Sequence, residues 1–247
     1  MKAKAILRTA VGIFISSLAV SASTFTFSTP TGATDLGGNP ESAVATVVTG
    51  TNSITITLSN LLANPLSAAE LLSGFSLTIT PDLSSAALLS GITIPSSSNL
   101  ITINSAGNLA TDNSAADLNT LQSQWLVTTG ALKDSISLSA LGTAQPDYTI
   151  IGPPDSTGVY SAANSSILNP THQPVIENAA VFTLNAPGVT ESTSVTGGTF
   201  YFGSTRNDSV TSVGTSTPEP GTLNFLLGGL FLIAGTAFRR CKQENRF

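Results

Sequence analysis

Apolar and hydroxylated residues alternate along several stretches of the chain. In Ser53-Ile54-Thr55-Ile56-Thr57-Leu58 every second side chain is a large aliphatic group and the rest are Ser or Thr. Phe75-Ser76-Leu77-Thr78-Ile79-Thr80, Leu100-Ile101-Thr102-Ile103 and Ser135-Ile136-Ser137-Leu138-Ser139 follow the same template. Side chains of a strand point alternately to its two faces, so this period predicts half-buried antiparallel strands with the hydroxyls on the wet face. Residues 43–49, 125–129, 148–151, 180–184 and 199–202 are further candidate strands. Between them stand turn formers: Gly37-Gly38-Asn39-Pro40, Thr49-Gly50, Pro153-Pro154-Asp155, Ala186-Pro187-Gly188 and Gly197-Gly198. Two helical pieces interrupt the pattern. Residues 65–72 have Pro65 near their start and Gly74 just beyond their end. Residues 115–122 follow Asp112, Asn113 and Ser114, all good helix caps. The fold class expected is mainly β, an antiparallel sandwich-like body with one or two short helices.

The pattern changes at both ends. Lys2, Lys4 and Arg8 precede a short apolar run that closes on Val20-Ser21-Ala22. This order of charge, apolar core and small residues predicts a secretory signal peptide over residues 1–22, cut after Ala22, with the bond after Ser23 as the alternative. Near the other end, residues 223–238 are apolar apart from Asn224 and Thr236. As a helix they would reach about 24 Å, short for a span but workable with flanking residues. Arg239, Arg240 and Lys242 follow as a stop-transfer cluster and place the tail in the cytoplasm, with the body outside.

Charge sharpens this division. Between Ser23 and Thr217 there are two basic residues, Lys133 and Arg206, against twelve acidic ones, a net of −10. Such a body is repelled by phosphate backbones, which excludes nucleic acid as a partner. Only 9% of the whole chain is charged, while Ser and Thr occupy 67 of its 247 positions. A surface built from hydroxyls rather than Lys and Glu suits the outside of a cell. The single cysteine, Cys241, excludes an intramolecular disulfide.

The junction before the apolar helix reads Thr217-Pro218-Glu219-Pro220-Gly221-Thr222. Followed by a short Gly-containing apolar helix and an Arg-rich tail, it resembles the sorting signal of PEP-CTERM proteins, which Gram-negative bacteria that make extracellular polysaccharide export. Pro218, Glu219 and Pro220 match that motif residue by residue, and the resemblance covers about thirty residues. It implies recognition and removal of the anchor by an exosortase after export through the Sec translocon. It also implies a precursor held in the inner membrane, a final place at the cell surface or in the matrix, and extracellular polysaccharide as a candidate partner. The organisation expected is a signal peptide (1–22), a β-rich ectodomain (23–209), a polar linker (210–217) and a sorting signal (218–247).

Within the ectodomain no catalytic, cofactor-binding or metal-binding set is read. His172 is the only histidine, set between prolines in Pro170-Thr171-His172-Gln173-Pro174. A Ser–His–Asp site would have to use it. One histidine and no HExxH exclude a His-rich zinc centre. Asp112, Asn113, Ser114 and Asp117 offer oxygens but miss the EF-hand spacing, and read as a capped helix start. The expectation is an exported, non-catalytic surface or matrix protein. The alternatives are a carbohydrate-binding or adhesive sandwich, for which Trp125 and Tyr148, Tyr160 and Tyr201 would have to cluster in a groove, and a secreted hydrolase built on His172.

Overall fold

A computed structural model of the chain describes residues 22–35, 37–140, 147–205 and 208–217. The expected strands are found there, and others join them. In chain order they are β1 (Ser23–Ser28), β2 (Ala43–Gly50), β3 (Ser53–Asn60), β4 (Leu72–Thr80), β5 (Leu88–Thr93), β6 (Leu100–Ile103), β7 (Leu109–Thr111), β8 (Leu126–Thr129), β9 (Ser135–Ser139), β10 (Ile150–Ile151), β11 (Val175–Glu177), β12 (Ala179–Asn185), β13 (Ser194–Phe202), β14 (Ser209–Thr211) and β15 (Val213–Thr217). One α-helix, α1 (Ala115–Gln124), lies between β7 and β8.

The strands form two curled sheets. The first runs β15-β1-β2-β3-β12-β5. The second runs β14-β13-β4-β10-β11-β6-β7, with β9 also paired to β4 and β8 to β9. Every pairing is antiparallel except β10 with β11. The period-two pattern becomes burial directly. Ile54, Ile56 and Leu58 of β3 are fully buried, while the residues between them are partly exposed. They face Phe75, Leu77 and Ile79 of β4 and Phe200 and Phe202 of β13 across one core. Phe75 sits at its centre, with ring centroids 5.9 Å from Phe27 and 4.9 Å from Phe200. Each such side chain contributes about 1.5–3 kcal/mol relative to exposure. A second, smaller cluster gathers Leu71, Ile101, Ile151, Tyr160, Ile167 and Val175 beyond β10 and β11.

Two expectations change. Residues 65–72 do not form a helix. They hold a single 3-10 turn, Ala68–Glu70, and Leu72 already belongs to β4. Glu70 folds back to accept the backbone N–H groups of Leu66 and Ser67. That ends the turn early and frees Leu71 and Leu72 for the two cores.

Residues 210–217, expected as a polar linker, are sheet. Ser209–Thr211 pairs with β13 as β14, and Ser212 donates its N–H and hydroxyl to the carbonyl of Gly198, at 2.9 and 2.8 Å. Val213–Thr217 then crosses to the first sheet as β15, pairing with β1 from Ser28↔Val213 to Thr24↔Thr217. The physical reason is edge satisfaction. β1 carries an open row of backbone donors and acceptors, and a segment with Val213, Thr215 and Thr217 is well suited to fill it.

The expected α1 is present and slightly longer than predicted. The expected membrane helix, 223–238, lies outside the described residues. Among the described residues no helix is long and apolar enough to cross a membrane.

Candidate functional site

The described residue nearest the predicted signal cleavage is Ala22, which is exposed. Ser23 begins β1, its hydroxyl donating to the carbonyl of Glu191. Pro218, Glu219 and Pro220, and the stop-transfer residues Arg239, Arg240 and Lys242, lie outside the described residues.

The aromatic residues that would have formed a sugar platform are mostly core. Trp125 is 2% exposed and donates its indole N–H to the carbonyl of Tyr148 at 3.0 Å. Tyr148 and Tyr160 are buried, and the Tyr160 hydroxyl donates to the carbonyl of Gly152 at 2.9 Å. Tyr201 alone of the four lines an open groove, of about 440 Å³, together with Ser76, Thr78, Thr128 and Ser137.

His172 ends a 3-10 turn and lines a cleft of about 340 Å³ with Thr149, Ser166, Ser204 and Asp208. A serine and an aspartate therefore share its cleft. No hydrogen bond joins its imidazole to either among the described residues. Asp147 lies near enough to feel its charge, but burial holds that carboxyl above its usual range. Asn113, read as a helix cap, accepts the N–H of Leu100 at 2.8 Å and donates to Asn99 at 3.1 Å, so its amide is used in holding β6.

One cluster went unseen in the sequence. Asp35, Glu41 and Asp208 bring one carboxylate oxygen each to within 4.8 Å of one another. The connection from β1 to β2 supplies the first two. It folds as a small hairpin in which Asp35 N–H donates to the carbonyl of Asn39 at 2.9 Å and Glu41 N–H to that of Ala33 at 2.9 Å. Gly38, at φ +84°, makes the reversal that a side-chain-bearing residue resists. Asn39 then fixes the Asp35 carboxylate with two bonds of 2.7 Å, one from its N–H and one from its amide. The third member comes from the other sheet. Asp208 closes the turn between β13 and β14, its carbonyl accepting Phe202 N–H at 2.9 Å.

Glu41 is the unusual group. It is 4% exposed, and neither of its carboxylate oxygens has a hydrogen-bond partner. Burial pushes its carboxyl up to about 9, and Asp208, Asp35 and Glu70 add to the rise. Glu70 is equally buried, but its carboxylate is already engaged by Leu66 and Ser67. The arrangement is an all-oxygen, triply acidic set drawn from both sheets. No sequence pattern could have marked it, because its members are brought together only by the pairing of the sheets.

Comparison with known protein families, curated proteins and solved structures finds no match to this chain.

Proposed function

We propose that the chain is an exported, non-catalytic surface or extracellular-matrix protein of the cell envelope. On this reading it crosses by the Sec translocon, rests in the inner membrane as a precursor and is released by an exosortase acting at Pro218-Glu219-Pro220. One observation carries most of the weight. The described strands run from Ser23 to Thr217, directly between the expected signal peptide, residues 1–22, and the expected sorting signal, residues 218–247. Processing at both junctions would then leave a sandwich-like body with every described strand intact. The Ser- and Thr-rich faces of its strands suit a hydrated polysaccharide matrix. The burial of Trp125, Tyr148 and Tyr160 weighs against a sugar-stacking groove, and the lack of a hydrogen bond from His172 to a serine or aspartate among the described residues weighs against a triad hydrolase.

The test replaces Pro218, Glu219 and Pro220 with alanine in a host that carries an exosortase. Anchor and stop sequence remain. The variant should accumulate at full length in the inner membrane, while the native chain is shortened and moves outward. If both fractionate alike and keep residues to Phe247, the sorting reading fails.

A further inference from the structure

We propose that Asp35, Glu41 and Asp208 form a calcium site that clasps the β1–β2 connection of the first sheet to the β13–β14 turn of the second. The inference starts from Glu41. A carboxylate this buried, with no donor to either oxygen, carries a large desolvation cost that nothing among the described residues offsets. Protonation would remove the charge and let one oxygen donate to a neighbouring carboxylate, but would leave the other without a donor. A bound cation answers both problems, since it neutralises the charge and takes up the lone pairs.

The donor set selects the cation. Three carboxylates with no sulfur or imidazole form a hard site, which suits calcium or magnesium rather than zinc or copper. Calcium–oxygen bonds of about 2.3–2.6 Å let two ligands stand up to about 5 Å apart across the ion. Oxygens that all lie within 4.8 Å of one another can therefore share one calcium with small adjustments. Magnesium demands a tighter octahedron of about 2.0–2.1 Å and gives up its own water reluctantly, so a partly dry site is a poor host for it. Carbonyls and water can complete the calcium shell. The two bonds from Asn39 to Asp35 hold that ligand in place before any ion arrives, as outer-shell partners do in metal sites.

The position gives the ion a task. Asp35 and Glu41 belong to the first sheet's connection and Asp208 to the second sheet's turn, and that turn also rests on Leu71 through Gly203 N–H at 2.9 Å. Closing this junction with a cation ties the start of the body to its end. The site goes beyond the sorting reading and does not depend on it.

The experiment uses the full chain in mild detergent, stripped with a chelator and titrated with calcium chloride by calorimetry and thermal melting. One calcium per chain should bind with a Kd of about 10⁻⁴–10⁻³ M, the range of extracellular modules. Saturation should raise the melting temperature by about 5–10 °C. Glu41→Gln should abolish that response while melting in chelator at or above the native temperature, because it replaces a buried acid that its acidic neighbours disfavour with an amide that can donate to them. Asp35→Asn and Asp208→Asn should also lose the response, which keeps the test decisive if one variant folds poorly. Absence of one-per-chain binding at millimolar calcium overturns the proposal. So does a full native shift retained in Glu41→Gln or Asp208→Asn, or an equal response to magnesium chloride.

Discussion

The indole of Trp125 lies 4.5 Å from the ring of Phe182, centroid to centroid, with the planes inclined at 51°. Trp125 follows directly after α1, and Phe182 belongs to β12 of the first sheet. The pair thus pins the helix end to the sheet, helped by the indole bond to Tyr148. Trp125→Ala should cost about 3–5 kcal/mol, the usual range for emptying a buried aromatic site. Trp125→Phe should cost less, since it keeps much of the ring and loses the polar contact. Urea unfolding followed by circular dichroism would rank the two, and equal stabilities would contradict this account of the pair.

Gly152 sits where a methyl group cannot go. A Cβ there would meet the carbonyl oxygen of Leu62 at 2.0 Å, and backbone has little freedom to yield. Its own carbonyl also accepts the Tyr160 hydroxyl. Gly152→Ala should destabilise by about 1–3 kcal/mol or more, through overpacking at the boundary between the two hydrophobic clusters. A melting temperature unchanged from native would refute the close approach.

Asp155 should confer acid sensitivity on its loop. Hydroxyls of Ser161 and Thr157, at 2.6 Å each, and the N–H of Thr157 hold its carboxyl far below its ordinary value of 3.8. Because the folded state favours the ionised form, the contribution is complete above that value and is lost as pH falls below it. Asp155→Ala should therefore lower the urea midpoint at neutral pH, with native and variant curves converging in strong acid. A gap that stays constant between pH 7 and pH 2 would argue against this linkage.

Docking of β15 can be tested at Gly214. A side chain there would reach Phe27 at 2.8 Å, so the missing Cβ lets the strand lie over that ring. Gly214→Val should push the strand off β1 and expose a sheet edge. The expected result is lower thermal stability and concentration-dependent self-association by light scattering, since open edges recruit other strands. A monomer as stable as native would show that β15 adds nothing to the edge.

Strands with strict alternation, such as β3 and β9, were legible in the sequence nearly to the residue because one face had to be buried. β1, β5, β7, β11, β14 and β15 were not. β1 carries the alternation too, with Phe25 and Phe27 buried between Thr24, Thr26 and Ser28; in the others the pattern is weak or very short, and they are strands because a neighbour offers an edge. Leu88 in β5 is 63% exposed, so burial left little trace on that segment. Residues 65–72 misled for the opposite reason. Local helix preference was genuine, but Leu72 was worth more to the core than to a second helical turn. The acidic trio was invisible in another way. Asp35 and Glu41 look like ordinary loop acids until Asp208 arrives from the far end of the chain.

The pairing of β1 with β15 also sets an order in time. The first strand of the body gains its outer neighbour only when residues 213–217 are present, almost the whole body later in the sequence. Contacts of such long separation form late and slowly. On the export reading β1 emerges from the membrane first and waits with one side unfilled while the rest is threaded across. Closure of the sheet then marks the moment at which translocation has reached Thr217, with Pro218 the very next residue to be met.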